Sequence, residues 1–364
     1  MKSKVSLTNL LSALIAPILS VCAAVFCVLL FLRQSDLINI DNVYESMLFK
    51  RGVLLTLFIA LCAAAAIVFA AFAFITRKNL PTYDSPLQKS VLLFPRAAAG
   101  LFLLITLILQ FKLSTANTPY DLTGWRELIA QAPNFFKVSS QTRRDLVLLF
   151  FKYLSLGFTL PASAYFLIPV FVDKKNVGKL RAVLGFFLVA RLALELLLTH
   201  FFPLDFLNSP TRVLRILAVC FLVFFFLAEM HCFLEGRPAV GAHTALGMAA
   251  GFFAVTDGAA KSFLSFAHKA GFSMNISAFY SFAILALGVY ALAVSFTQLY
   301  EAKKAPVPAK SESGESVPAP VAGTGTGSED EAETEIESEA EIETGPEIKP
   351  ETEPENEKED AGHE

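Results

Sequence analysis

The sequence predicts an all-α polytopic membrane protein, a bundle of about eight transmembrane helices followed by a disordered acidic C-terminal tail. Hydrophobic residues make up 54% of the 364 residues and the mean hydropathy is +0.55, which is too apolar for an ordinary soluble domain. Runs of roughly 18 or more apolar residues recur, which is the length that a helix needs to cross about 30 Å of hydrocarbon. A membrane-embedded helical bundle is therefore the expected architecture.

The hydrophobic runs define the expected helices. Pro95 and Arg96 lie near the start of the third run, and the seventh run is short, contains His243 and is rich in Ala and Gly. Seven spans are therefore the alternative to eight, within a transmembrane domain of residues 1–304. The predicted spans are residues 9–32, 53–76, 92–111, 146–172, 182–203, 212–234, 240–258 and 276–299.

Basic residues in the short loops indicate the orientation, because cytoplasmic loops carry an excess of Lys and Arg. With the N-terminus inside, the inner segments hold 12 Lys and Arg in about 42 residues, and the outer segments hold 11 in about 79. Much of the difference comes from residues 173–181 and 76–78. We therefore expect a multi-pass protein of the cell membrane with both termini in the cytoplasm.

The net charge of −3 hides two oppositely charged parts. Residues 1–304 contain 27 Lys and Arg against 14 Asp and Glu, whereas residues 305–364 contain 3 against 19. The basic residues of the first part are dispersed among loops, so nucleic acid is not an expected partner. The second part joins a Pro/Gly/Ser linker to a Glu-rich segment that cannot form a core, which predicts disorder. This tail serves for solvation and spacing, or alternatively binds a basic protein partner or cations.

Two loops have sequences that suit the membrane interface. Residues 112–145 form the longest loop, which is predicted to lie outside the cell and to contain a short amphipathic helix; a lid over a ligand site is the alternative. Its apolar residues recur at helical spacing: Leu122, Trp125, Leu128 and Ile129. Residues 259–273 are expected to lie in the interface in the same way, with Lys261, His268 and Lys269 directed toward the headgroups.

The fifth span contains the strongest functional signal, because two opposite charges interrupt its apolar sequence. Arg191 and Glu195 are four residues apart, so their side chains lie on one helix face about 5–6 Å apart, and Thr199 continues that face. The apolar residues of the span favour insertion by about 6 kcal/mol, and the two charges cost roughly the same amount. We therefore expect a polar stripe of Arg191, Glu195 and Thr199 that faces the bundle interior.

Other ionisable residues are expected to meet this stripe. Lys152 in span four and Arg215 in span six lie at about the depth of Glu195. Charges inside a membrane mark solute pathways, proton relays or anion sites, and the alternative is a structural ion pair that fixes helix packing. The candidate intramembrane polar cluster comprises Arg191, Glu195, Thr199, Lys152 and Arg215. Three further ionisable residues lie toward the cytoplasmic ends of spans three and six: Arg96, Glu229 and His231.

Catalytic and metal-binding motifs do not occur in the sequence. The five cysteines all lie inside predicted spans, and no pair of them has metal-ligand spacing with a nearby His. The intramembrane histidines stand singly, and no H-E-x-x-H, G-x-S-x-G, P-loop or dinucleotide-binding turn is found. The sequence therefore predicts neither a cofactor nor a metal site, and a protein that is not an enzyme. Residues 247–251, GMAAG, are interpreted as a helix-packing motif.

Three functions remain open at this stage. The first is a permease-like protein whose polar stripe contacts a small polar or anionic solute. The second is a non-catalytic membrane scaffold or sensor that acts through residues 112–145 and the acidic tail. The third, an intramembrane enzyme, has no motif to support it. The lipid bilayer is the one partner that the composition requires, and no oligomeric state is predicted.

Overall fold

Long α-helices account for nearly all of the described chain. The computed structural model describes residues 7–35, 53–76, 86–112, 130, 133, 136–137, 139–171, 177–201, 210–235, 240–269, 274 and 276–302. These residues form eight long helices and no β-strand, and they all belong to a unit that extends from Met1 to Val307. The prediction of an all-helical architecture is confirmed for the described residues.

The helices match the predicted spans in number and order. Several begin or end a few residues beyond the hydrophobic run, because polar residues continue the backbone hydrogen bonding after the hydropathy falls. The helices are α1 (Leu7–Ser35), α2 (Val53–Thr76), α3 (Pro86–Lys112), α4 (Ser140–Phe171), α5 (Val177–Phe201), α6 (Pro210–Glu235), α7 (Val240–Phe266) and α8 (Ile276–Tyr300).

Seven of the described helices are long and apolar enough to cross a membrane, and α7 is the one that is not among them. Length does not set α7 apart, because its 27 residues extend over about 40 Å. Its sequence is less apolar because it contains polar residues such as His243, Asp257 and Lys261. Of these, His243 and Asp257 are buried against other helices, so the membrane does not have to solvate them.

Six helices form a closed circuit of neighbours, in the order α3, α4, α5, α6, α7, α8 and back to α3. Helices α1 and α2 pack against each other and against α7, and α1 also contacts α8. Fully buried apolar side chains from α3 to α8 fill the interior of the circuit, among them Phe166, Leu188, Leu222 and Tyr290. The circuit therefore encloses a core to which α1 and α2 are added at the side of α7.

Glycine lets α7 and α8 approach closely. A side-chain carbon on Gly258 would lie 2.7 Å from the backbone nitrogen of Leu285, and one on Gly288 would lie 2.8 Å from Cβ of Ala254. Gly247 and Gly251 of the GMAAG motif also face α8, where a side chain would overlap Ser295 and Leu292. The interpretation of this motif as a packing feature is confirmed.

Helix α7 extends beyond the predicted span and ends in a defined hydrogen-bonded turn. The amide of Lys269 donates to the carbonyl of Leu264 and the amide of His268 donates to that of Ser265, at 3.0 and 3.3 Å. His268 has φ of 51°, so these residues form a Schellman motif with a left-handed residue after the helix. Glycine usually occupies that position, and its absence here removed the sequence signal for the helix end.

The first and last helices meet at one end of the bundle. Asn9 near the start of α1 donates side-chain hydrogen bonds to the carbonyls of Tyr300 and Ala302, at 3.5 and 2.5 Å. The start of α1 and the end of α8 therefore lie at the same end of the bundle. The predicted interfacial helix around Trp125 and the disordered tail of residues 305–364 lie outside the described residues and stay predictions.

Candidate functional site

Arg191 in the middle of α5 is the centre of a buried polar network. Arg191 is 1% exposed, and its Nη1 is 3.8 Å from Oε2 of Glu195. Nε donates a hydrogen bond of 2.8 Å to the hydroxyl of Thr159 on α4. Nη1 donates another, of 3.2 Å, to the hydroxyl of Tyr280 on α8. One guanidinium thus joins three helices, although only its contact with Glu195 could be foreseen from the spacing.

Tyr280 connects Arg191 to a second arginine. The ring centroid is 4.9 Å from Cζ of Arg191 and 5.3 Å from Cζ of Arg215, so two guanidinium groups share one aromatic ring. Arg215 is fixed further by a hydrogen bond of 2.9 Å from Nη2 to the Ser281 hydroxyl. Cation–π contacts of desolvated groups contribute about 2 kcal/mol, so Tyr280 holds both cations in place.

Asp257 on α7 is the second carboxylate of the network, and sequence reasoning did not find it. It is fully buried, with Oδ2 2.6 Å from Nε of Arg215 and Oδ1 2.7 Å from Nζ of Lys261. A carboxylate with two cations at these distances carries strong charge-assisted interactions. We refer to the whole network as the Arg191 cluster, which consists of Thr159, Arg191, Glu195, Arg215, Asp257, Lys261, Tyr280 and Ser281.

The prediction that Lys261 is directed toward the lipid headgroups is wrong. Lys261 lies inside α7, one turn after Asp257, and its side chain is 15% exposed. Helix α7 continues through residues 259–266, so its backbone carries Lys261 back onto the face that holds the carboxylate. His268 and Lys269 follow the helix and are exposed.

The remaining predicted site residues have different environments. Arg215 belongs to the Arg191 cluster, whereas Thr199 is only partly buried and takes no part in the contacts that define the cluster. Each step of four residues turns about 40° around a helix, so Thr199 is about 80° away from Arg191. Lys152 is 8% exposed and lies two turns before Thr159 on the same face of α4.

A second group of buried charges surrounds Glu229 on α6, which is fully buried. Its Oε1 accepts a hydrogen bond from the hydroxyl of Tyr290 on α8 and is 3.8 Å from Nη2 of Arg181 on α5. The guanidinium of Arg181 lies over the ring of Phe233, 4.1 Å from its centroid. Arg96 on α3 is 9% exposed and acts electrostatically on Tyr290. We refer to Arg96, Arg181, Glu229 and Tyr290 as the Glu229 cluster.

The histidines of the bundle serve packing rather than a shared site. His243 is buried, stacks on Phe225 with ring centroids 4.8 Å apart, and its Nδ1 is 3.2 Å from the amide of Gln298. His231 and His200 are exposed. In the described part of the chain, no group of three or more His, Cys, Asp and Glu residues is arranged to hold a metal ion.

The buried charges of the described residues are unequal in sign. The described residues include six buried cationic residues and three buried carboxylates, and Lys261 adds a further cation through its pair with Asp257. Burial of an uncompensated charge is costly, so an excess of buried cations favours the uptake of an anion. The cations are Arg96, Lys152, Arg181, Arg191, Arg212 and Arg215, and the carboxylates are Glu195, Glu229 and Asp257.

Comparison with known proteins gives no relative from which a role could be transferred. No protein-family model matches the chain, and neither a curated protein nor a solved structure matches it.

Proposed function

We propose that this protein is a multi-pass permease of the cell membrane that binds a small anionic solute at the Arg191 cluster. The observation that carries the proposal is the excess of buried positive charge. Within the cluster, Arg191, Arg215 and Lys261 oppose the carboxylates of Glu195 and Asp257. A carboxylate or phosphate group would balance the remaining charge and accept hydrogen bonds from guanidinium groups that are already held in position.

The position of the cluster supports the same function. Five neighbouring helices, α4 to α8, each contribute at least one polar side chain, and the cluster lies inside the circuit that they form. Solute sites of transporters are built in this way, from intramembrane charges of several helices near the middle of the bilayer. In the described conformation the charges are closed to solvent, so transport requires a second conformation in which the helices part around them.

The proposed topology has eight crossing helices, α7 included, with both termini in the cytoplasm. The shared end of α1 and α8 supports an even number of crossings, and the density of Lys and Arg in short loops supports the cytoplasmic side. Reporter domains inserted after Lys78, within residues 173–176 and after Lys304 are expected to report the cytoplasm. A reporter after Lys304 that reads outside would mean that α7 does not cross.

Anion binding can be tested without knowledge of the natural solute. Purified full-length protein in detergent is heated with inorganic phosphate, sulfate or succinate, with chloride at equal ionic strength as the reference. A ligand at 100 times its dissociation constant stabilises the folded state by about 2.7 kcal/mol, so a binding anion should raise the unfolding temperature clearly. Uptake of the labelled anion into proteoliposomes then tests transport.

Two variants make the test specific for the cluster. Arg191→Gln should lose the part of the stabilisation that comes from binding at the Arg191 cluster, whereas Lys179→Gln, which removes an exposed cation of the same helix, should keep all of it. Equal stabilisation of both variants would contradict the assignment of the site, and no effect of any of the three anions on the wild-type protein would contradict the proposed function.

A membrane scaffold or sensor is the second candidate. It is favoured by the very low exposure of Glu195 and Asp257, 3% and 0%, which suits ion pairs that only fix helix packing. In this case the acidic tail and residues 112–145 would carry the interactions.

A further inference from the structure

The two charge clusters share a pattern in which α5 supplies an arginine and α8 a tyrosine, while the glutamate comes from α5 in one cluster and from α6 in the other. Helix α5 supplies Arg191 to one cluster and Arg181 to the other. Helix α8 supplies Tyr280, whose hydroxyl accepts a hydrogen bond from Arg191, and Tyr290, whose hydroxyl donates one to Glu229. Each cluster therefore contains an arginine, a buried glutamate and a tyrosine that joins the charges to α8.

The clusters lie at different levels of the bundle. Arg181 and Arg191 are ten residues apart, as are Tyr280 and Tyr290, which corresponds to about 15 Å along each helix. An apolar layer fills the space between these levels. It consists of Phe166, Leu188, Leu222, Phe226, Ile284 and Leu287, none of which is more than 1% exposed.

Aromatic contacts join this layer to the Glu229 cluster. The ring of Tyr290 packs edge-on against Phe166, with centroids 5.2 Å apart, and is parallel to Phe226 at 6.1 Å. The hydroxyl of the same tyrosine contacts Glu229. A rearrangement of the charges around Glu229 that moves Tyr290 would therefore also move the side chains that separate the two clusters.

The Glu229 cluster also has more cations than carboxylates. Among the described buried residues of this cluster, Arg96 and Arg181 are two cations and Glu229 is one carboxylate, which lies beside Arg181. The 3.8 Å between Arg181 and Glu229 exceeds the length of a hydrogen bond. The rings of Phe233 and Tyr165, at 4.1 and 5.3 Å from Cζ, hold the guanidinium in place independently of the glutamate. An anion could take the place of Glu229 beside Arg181 without loss of this support.

We propose that the Glu229 cluster is a second anion-binding site, in series with the Arg191 cluster and separated from it by the apolar layer. This inference rests on the proposed function, because it gives the same carboxylate- or phosphate-bearing solute a second binding site along its path. At this site Arg181 binds the anion, Arg96 adds to the positive field, and Glu229 competes with the anion for Arg181.

Binding stoichiometry tests the second site directly. Isothermal titration calorimetry of the full-length protein is performed with whichever of phosphate, sulfate or succinate stabilises it most. Two anions per chain are expected for the wild-type protein. Arg181→Gln and Arg191→Gln should each bind one, because each variant weakens one site by at least about tenfold.

Glu229→Gln supplies a test based on a gain of affinity, which misfolding cannot produce. Gln keeps an oxygen that accepts the Tyr290 hydrogen bond but removes the charge that competes for Arg181, so the second site should bind roughly tenfold more tightly. His231→Gln, a change of an exposed residue two positions along α6, is the matched control and should leave both affinities unchanged.

The outcomes separate this inference from the proposed function. One anion per chain that is lost in Arg191→Gln and retained in Arg181→Gln overturns the second site and leaves the proposed function intact. Two anions in Arg181→Gln, or weaker binding in Glu229→Gln, also overturns it. A wild-type protein that binds none of the three anions overturns both.

Discussion

Asp257→Asn is expected to cause a large loss of stability, about 3–5 kcal/mol in the free energy of unfolding. The carboxylate is fully buried and lies 2.6 Å from Arg215 and 2.7 Å from Lys261. Asn retains the shape but not the charge, so two cations keep their desolvation cost without a counter-charge. Denaturant titration of the purified protein in detergent measures the loss.

A second substitution should recover part of this loss. Lys261→Met in the Asp257→Asn background removes one of the two uncompensated cations, and the double variant should be more stable than Asp257→Asn alone. Glu301→Gln is the control, because Glu301 lies partly exposed just beyond α8, and a change there should remain within about 0.5 kcal/mol of the wild type. If Asp257→Asn were as mild as this control, the ion pairs of α7 would not contribute to stability.

The fold could be predicted from hydropathy because a membrane-spanning helix requires a long apolar run, and seven of the eight helices have one. Helix α7 was the uncertain element for a physical reason. Four helices, α1, α2, α6 and α8, pack against α7 and replace much of the lipid around it, so α7 tolerates a buried charge such as Asp257 that a lipid-facing helix would not. Its end was missed because His268 adopts the left-handed conformation that usually indicates glycine.

The cluster could be predicted only where its contacts are local in sequence. Arg191 and Glu195 stand out because they are four residues apart within one apolar run. Asp257 and Lys261 have the same spacing, but the apolar run ends at about residue 258. Lys261 therefore fell outside the predicted span and was expected in a loop. Tyr280 carries no such signal, since one tyrosine among many apolar residues acquires its role only when the folded bundle brings it next to Arg191 of α5 and Arg215 of α6.

The same limit applies to Arg181. It follows three lysines in residues 173–181, and this basic sequence identified it as part of a cytoplasmic loop. In the structure it lies on the second turn of α5, where the rings of Phe233 and Tyr165 and the carboxylate of Glu229 surround it. These partners come from α4 and α6, so no pattern along α5 alone could have identified them.

The second large effect is expected for Arg191→Leu, with a loss of about 3–5 kcal/mol. This change removes the contacts with Thr159, Tyr280 and Glu195 and leaves the carboxylate buried. Glu195→Leu should cost less, because Arg191 then keeps two hydrogen bonds and its cation–π contact. The asymmetry arises from the tertiary contacts of Arg191, since the pair alone would predict equal losses.

The double variant Arg191→Leu/Glu195→Leu tests whether these residues act as a unit. Because it leaves neither charge behind, its loss should be smaller than the sum of the single losses by about 1–3 kcal/mol. Strictly additive losses would mean that the two charges do not interact across their 3.8 Å separation.

Anion-induced stabilisation of the folded double variant then tests whether Arg191 binds the anion or only fixes helix packing. A permease site needs Arg191 to bind the solute, so the double variant should fold but no longer be stabilised by phosphate, sulfate or succinate at the Arg191 cluster. An ion pair that only fixes packing predicts the opposite, because Leu at both positions fills the space and leaves Arg215, Asp257 and Lys261 as they were. A double variant that binds the anion as tightly as the wild-type protein would therefore identify Arg191 as a structural residue.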